Sequence, residues 1–223
     1  MPPTLVAVAV GALLGVALLG SAFDRRSLTL VVVAAALPDL DAALALVVPG
    51  AANALLHTLF VPLAAAVALY YDTELRAASW LRSRYGRYGV RVAWVAVAAY
   101  AVAGIGLDLF NVDSAAVLYP LSDRYYAIIG KLVLSTQEGV VQTYVSLGDG
   151  WLEVASPGTV GDHHVESWLD PGDGQRRLRL ADSGWQAALV ATAAAAVPAK
   201  FLARRAEANG RTARTGRGEG GDR

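Results

Sequence analysis

The chain alternates long apolar blocks with short polar ones. Residues 4–23 ("TLVAVAVGALLGVALLGSAF") carry no charge, and at roughly 1.5 Å per residue a helix of this length crosses about 30 Å of hydrocarbon. Blocks of similar length cover 28–48, 51–71, 90–110 and 185–203. The pattern predicts a mainly α, polytopic membrane protein: four spans within 1–110 and a fifth over 185–204. The first block has no basic stretch ahead of it and no clear small-x-small cleavage site behind it, so it is expected to persist as a span. Composition agrees, since 55% of the 223 residues are hydrophobic and 17% charged, too apolar for a soluble domain of this size. Cysteine is absent, which excludes disulfides and thiolate metal sites.

Segment 111–184 is too long for a plain connection and too polar for the membrane. Its runs "KLVLS", "GVVQTYVSL" and "WLEVAS" alternate or are β-branched, and "TQEG" and "GDG" between them are turn signals. A small β-rich extracytoplasmic insertion between spans 4 and 5 is expected. "DPGDGQRR" and the stretch around His163 and His164 read as loops. Residues 205–223 have little to bury and are expected to form a disordered cytoplasmic tail.

The charges orient this arrangement. Residues 24–26, 72–91 and 200–223 hold 14 basic against six acidic side chains, whereas 111–184 holds five basic against ten acidic. With five spans the three basic segments share one face, which the positive-inside rule makes cytoplasmic. The N-terminus then lies outside and the C-terminus inside a plasma or inner membrane.

Three acidic residues remain, and all lie inside the apolar blocks: Asp39, Asp41 and Asp108. An ionisable group at such depth is costly without partners and marks a functional site by default. On the expected topology Asp39 and Asp41 occupy the outer half of span 2, and His57 lies about two turns into span 3. Asp108 ends span 4, with Asn111 and Asp113 just beyond it, so three spans bring these groups to one depth. Pro38 lacks an N–H and disfavours helix at Leu37, so span 2 is expected to break just before Asp39. In an unbroken helix Asp39 and Asp41 would point about 200° apart. A break lets them share one cavity with His57. Carboxylates and an imidazole are ligands for zinc, manganese or a similar divalent ion, and a metal with an open position activates water for hydrolysis. The structural alternative makes each residue a cap or a member of a hydrogen-bonded pair, such as His57 with Asp41.

At these residues the sequence resembles the inner-membrane metal-dependent hydrolase family, also described as LexA-binding, inner-membrane-associated hydrolases. Members carry "PDxD" in an early span, "HRGxTHS" opening the next, and later "HxxxD" followed by a Pro near the outer surface. "LPDLD" (37–41), "ANALLHT" (52–58), "GIGLD" (104–108) and "LYPLSDRYY" (118–126) fall in that order. The resemblance implies Asp39, Asp41, His57 and Asp108 as ligands of a divalent metal such as zinc. Through its likeness to zinc phospholipases C and P1-type nucleases, it also implies phosphoester hydrolysis. A lipid headgroup at the outer leaflet is then a reasonable substrate. Ala52 and Asn53 stand where the family's first His and Arg would be, and Gly104 where the second motif's His would be. A contact with LexA would have to use 72–91 or the tail. The competing expectation is a non-catalytic membrane scaffold or binding protein that keeps a degenerate polar site and displays the β-rich insertion.

Two further features bear on partners. "GALLG" (11–15) has GxxxG spacing, suited to close packing within the chain or to a homo-oligomer through span 1. "WLRSRYGRYGVR" (80–91) interleaves aromatics with arginines. Beside two spans this reads as an anchor to membrane lipids rather than a nucleic-acid surface. No P-loop, GxGxxG, GxSxG or HExxH motif is present.

Overall fold

A computed structural model describes residues 3–48, 50–111, 114–130, 132–135, 137, 139–143, 145–148, 151–162, 169 and 179–218. Helix α1 spans Thr4–Leu18 and turns through Gly20–Ala22 into α2, Arg25–Ala36. Asp24 and Ser27 start α2 with a capping box: the Ser27 amide donates to Asp24 Oδ1 at 2.8 Å and the Asp24 amide to Ser27 Oγ at 2.9 Å. Pro38 acts as expected. The α-helix stops at Ala36, a tighter 3-10 turn covers Leu37–Leu40, and α3 comes next as one turn, Asp41–Leu44.

Helix α4 runs Phe60–Tyr70 and widens into a π turn, Tyr71–Leu75. Helix α5, Trp80–Ala99, is two helical pieces joined at Gly86, whose φ of 64° and ψ of −161° leave the helical region. Beyond Ala99 it continues as a π turn, Tyr100–Gly106, and ends in a 3-10 turn, Asp108–Phe110. Two antiparallel hairpins come after it: β1 (Leu132–Ser135) with β2 (Gly139–Gln142), and β3 (Val145–Gly148) with β4 (Trp151–Val154). Leu132 faces Gln142 in the first and Val145 faces Val154 in the second. These strands fall on the three β-like runs of the sequence, the middle run supplying both β2 and β3. Helix α6, Gly184–Gly218, closes the chain.

Helix α1 packs against α2 and α6, and α2 against α5. Their shared core is mostly small: Ala22, Val31, Ala35, Val92, Val95, Ala99 and Ala103, closed at one end by Leu19 and Phe23. Small side chains allow close backbone approach where lipid supplies no hydrophobic drive between helices. The GxxxG pair works within the chain. A Cβ on Gly11 would stand 2.5 Å from Ala35 Cβ, and one on Gly15 would stand 2.8 Å from a Leu28 methyl.

The helices differ in extent from the apolar blocks. Among the described residues three helical stretches are long and apolar enough on their own to cross a membrane, Arg25–Leu44, Trp80–Phe110 and Gly184–Asn209, and Thr4–Leu18 is a shorter apolar helix. Helix α1 is apolar but ends at Leu18, because the chain turns at Gly20 with φ 54°. The block 51–71 becomes helical only at Phe60, because much of the backbone of 51–59 is bonded to Asp41, Tyr100, Tyr125 and segment 114–119. The tail expected to be disordered from 205 continues α6 to Gly218, and extending an existing helix avoids the cost of nucleating one. His163, His164 and Asp113 lie outside the described residues.

Close packing at Gly11 makes the helical core sensitive to added volume. Gly11→Val should destabilise the folded protein by about 1–3 kcal/mol through overpacking against Ala35, whereas Gly184→Ala, with open space around it, should leave the detergent melting curve unchanged. At the start of α5 the Ser79 hydroxyl and the Leu81 and Trp80 amides donate to Asp72 and hold its carboxyl down to about 2 from an ordinary 3.8. The folded value is depressed, so the stabilisation is complete above about pH 4 and disappears as pH falls toward 2. Melting temperatures across that window should therefore fall more steeply for the wild type than for Asp72→Asn.

Candidate functional site

The broken end of α2, segment 51–59 and the end of α5 meet at one end of the helical core, and there the four expected side chains converge. Asp41 is fully buried on the first turn of α3. Its carboxylate accepts from the Leu56 amide at 2.9 Å to each oxygen and from the His57 amide at 3.3 Å. His57 Nδ1 lies 3.0 Å from Asp41 Oδ2, which fixes the ring against α3. The other ring nitrogen, Nε2, faces Asp108 Oδ2 at 2.9 Å and Asp39 Oδ1 at 3.8 Å. His57 and Asp108 are buried, while the Asp39 side chain is 10% exposed and forms the edge of the cluster.

Segment 51–59 is not helical because its polar groups are taken up elsewhere. Tyr100, at the start of the π turn, donates its hydroxyl to the Leu56 carbonyl at 2.6 Å. The Tyr125 hydroxyl donates to the Ala52 carbonyl at 2.6 Å, and burial together with the Asp41 charge pushes that hydroxyl up to about 12, so it stays a donor. Asn53 takes the left-handed conformation, φ 51°, which Asn tolerates better than most residues. Its side chain donates to the Ser114 carbonyl at 2.9 Å, and its own carbonyl accepts from Ala116 at 2.9 Å. The Thr58 hydroxyl donates to the Tyr119 carbonyl at 2.7 Å. Irregular backbone at such depth is tolerated where protein satisfies it, and here α3, α5 and segment 114–126 do so.

Gly104, which stands in the motif where a histidine ligand would be, has a packing role. A Cβ there would lie 2.6 Å from Pro38 Cγ and 2.9 Å from the Ala35 carbonyl oxygen. A bare α-carbon lets the end of α5 press against the break in α2, which sets Asp108 opposite His57. Tyr100 and Tyr125 give no signal in the sequence, because aromatic residues in apolar runs look like core or interface until their hydroxyl partners are known.

Several buried polar atoms lack a hydrogen-bond partner, among them Asn53 Oδ1, Ser114 Oγ and Ser183 Oγ outside the cluster. Among the described residues, His57 Nε2, Asp39 Oδ2 and Asp108 Oδ1 are buried with no hydrogen-bond partner. Nε2 stands 2.9 Å from Asp108 Oδ2, the distance of an ion pair when the ring carries both protons. Among the described residues no group of three or more His, Cys, Asp or Glu has the spacing of a ready-made metal site.

The elements that build this cluster lie within residues 3–166, which match the model of the family described as YdjM inner membrane protein. The chain belongs to that family. The match spans more than half of the chain and agrees with the inner-membrane family expected from "LPDLD" and its companions, at the level of family and membrane. The YdjM match and the apolar helices together make this an inner membrane protein. No curated protein and no solved structure matches the chain.

Asp41 is therefore expected to matter for stability before it matters for chemistry. Asp41→Ala strands two amides and an imidazole nitrogen and should cost about 3–5 kcal/mol, while Tyr100→Phe should cost about 1 kcal/mol. Denaturant unfolding in a mild detergent would measure both. An Asp41→Ala melt identical to wild type would show that 51–59 is held by something else.

Proposed function

We propose that this member of the YdjM family is a five-span membrane hydrolase, N-terminus outside and C-terminus inside. In this reading its cluster at the outer end holds a divalent metal such as zinc and cleaves a phosphoester at the membrane interface. Helix α1 and the 51–71 block complete the five crossings alongside the three longer helices. One observation supports the site most directly. Three carboxylates and one imidazole lie together, and three of their buried atoms on three chain segments, Asp39 Oδ2, His57 Nε2 and Asp108 Oδ1, lack partners. With the His57 proton on Nδ1, Nε2 would face the Asp108 oxygen 2.9 Å away, and a cation at that point would be held by both.

In this reading His57 Nε2, Asp39 and Asp108 hold the metal. Asp41, included among the ligands by the sequence resemblance, instead accepts a hydrogen bond from His57 Nδ1 and leaves Nε2 directed at the site, the role an outer carboxylate plays behind a metal-binding histidine. The bound ion supplies water made acidic enough to act as a nucleophile near neutral pH. The chain does the positioning: the Leu56 and His57 amides lock Asp41, Tyr100 locks the Leu56 carbonyl, and the buried walls exclude bulk water. Asp39, at the exposed edge, lies where a substrate approaches. The Gly104 and Asn53 positions, which carry no ligand, support a second reading in which the cluster is a structural device in a scaffold that presents the β-hairpins.

Metal analysis of the purified full-length protein, paired with turnover of a phosphoester panel, separates the two. The hydrolase should retain stoichiometric metal, lose it in Asp108→Asn, and hold it about 10–100-fold more weakly in Asp41→Asn. Wild-type protein without metal would overturn the proposal. Metal without turnover would favour the scaffold.

A further inference from the structure

At the opposite end of the core from Asp39 and His57, a cavity of about 760 Å³ opens between the α1–α2 turn and α5. Its wall is divided by chemistry along α5. Arg82, Arg87 and Arg91 line it with Tyr88 and Val90 among them, and Trp94 and Val95 line the part farther along the helix. Arg87 and Val95 are eight residues apart, about 12 Å along the helix axis.

Among the described residues Arg87 and Arg91 are poorly neutralised. Arg87 and Arg91 are one helical turn apart on the same face, a like-charge spacing that weakens a helix unless an anion joins the two. Among the described residues neither has a carboxylate within 4 Å. Arg82 has Glu74 at 3.6 Å, and that pair is more than half exposed. Asp24, on the facing turn, caps α2 and shares a hydrogen bond with Tyr88 in the cavity wall, so its carboxylate is already engaged at the edge of the site. The turn itself is clamped from the other side, where the Arg204 guanidinium donates to the Phe23 and Ser21 carbonyls. It approaches Arg91 so closely that a Cβ on Gly20 would stand 2.6 Å from a guanidinium nitrogen. Two guanidinium forks one turn apart suit the oxygens of a phosphate, and the apolar wall beyond them suits the first carbons of an acyl chain.

We propose that this cavity is a specific binding site for an anionic phospholipid, with Arg87 and Arg91 sharing the phosphate, Arg82 at its rim, and Trp94 and Val95 against the glycerol and upper acyl carbons. A lipid is favoured over a soluble phosphate because the cavity continues from the arginines onto apolar side chains of a membrane-crossing helix. The site is separate from the Asp39–His57 cluster and does not depend on its function.

Native mass spectrometry of the detergent-purified full chain, titrated with phosphatidylglycerol, phosphatidylcholine or inorganic phosphate, tests this. Phosphatidylglycerol should give a saturable single adduct and raise the melting temperature, and phosphatidylcholine should do neither. Arg87→Gln and Arg91→Gln should each weaken the adduct roughly tenfold, while Arg84→Gln, outside the cavity, should leave it unchanged. Arg91→Lys, which keeps the charge and loses the fork, should fall between. If the Gln variants unfold, the lysine variant and the lipid comparison on wild type still decide. Equal binding of the two lipids would overturn the proposal, as would an adduct indifferent to Arg87 and Arg91. Inorganic phosphate competing fully at the lipid's own affinity would reassign the cavity to a soluble anion and also overturn it.

Discussion

The Asp41 carboxylate, buried where α2 has just broken, holds one end of the helical core together. A charge in that position has to be surrounded by donors, and Asp41 finds them in the Leu56 and His57 amides and the His57 ring. Those bonds prevent 51–59 from forming the helix its apolar composition invites. They also turn His57 toward Asp108 and draw the carbonyls of 52–56 to Tyr100 and Tyr125. Pro38 makes this possible by ending α2 early enough for Asp39 and Asp41 to face the same neighbour.

Much of this could be read from residue pattern. The apolar blocks located the helices because lipid leaves a chain few other options. "LPDLD" located the break because proline removes a donor, and the β-branched runs between turn signals located all four strands. The cluster was legible because buried charge is too costly to be scattered. Illegible were the features fixed by partners distant in sequence. An apolar run such as 51–59 looks the same whether it is helical or irregular, and only the groups satisfying its backbone distinguish the two. Gly104 looked like a lost ligand because a motif records what is absent and says nothing of what packs in its place. The long helices are fewer than the apolar blocks for a related reason, since hydropathy measures the length of a block and a turn such as that at Gly20 shortens the helix within it.

The two ends of the helical core divide the electrostatic work. One end gathers acid around a single imidazole, and the other gathers arginine around the α1–α2 turn. Both are assembled on the same two elements, α2 and α5, whose shared packing relies on Ala35 and Ala99. Bulky substitutions along that contact would move both ends together.

The π turn at Tyr100–Gly106 sets the rotational phase of Asp108, which lies just beyond it. In a regular helix each residue advances the chain by about 100°, so a widened turn acts as one residue inserted into the count. A homologue one residue shorter between Tyr100 and Asp108 could keep an unbroken, equally apolar helix and still turn its carboxylate away from the imidazole. Among relatives, the spacing from Tyr100 to Asp108 is therefore as diagnostic of an intact centre as the presence of either residue.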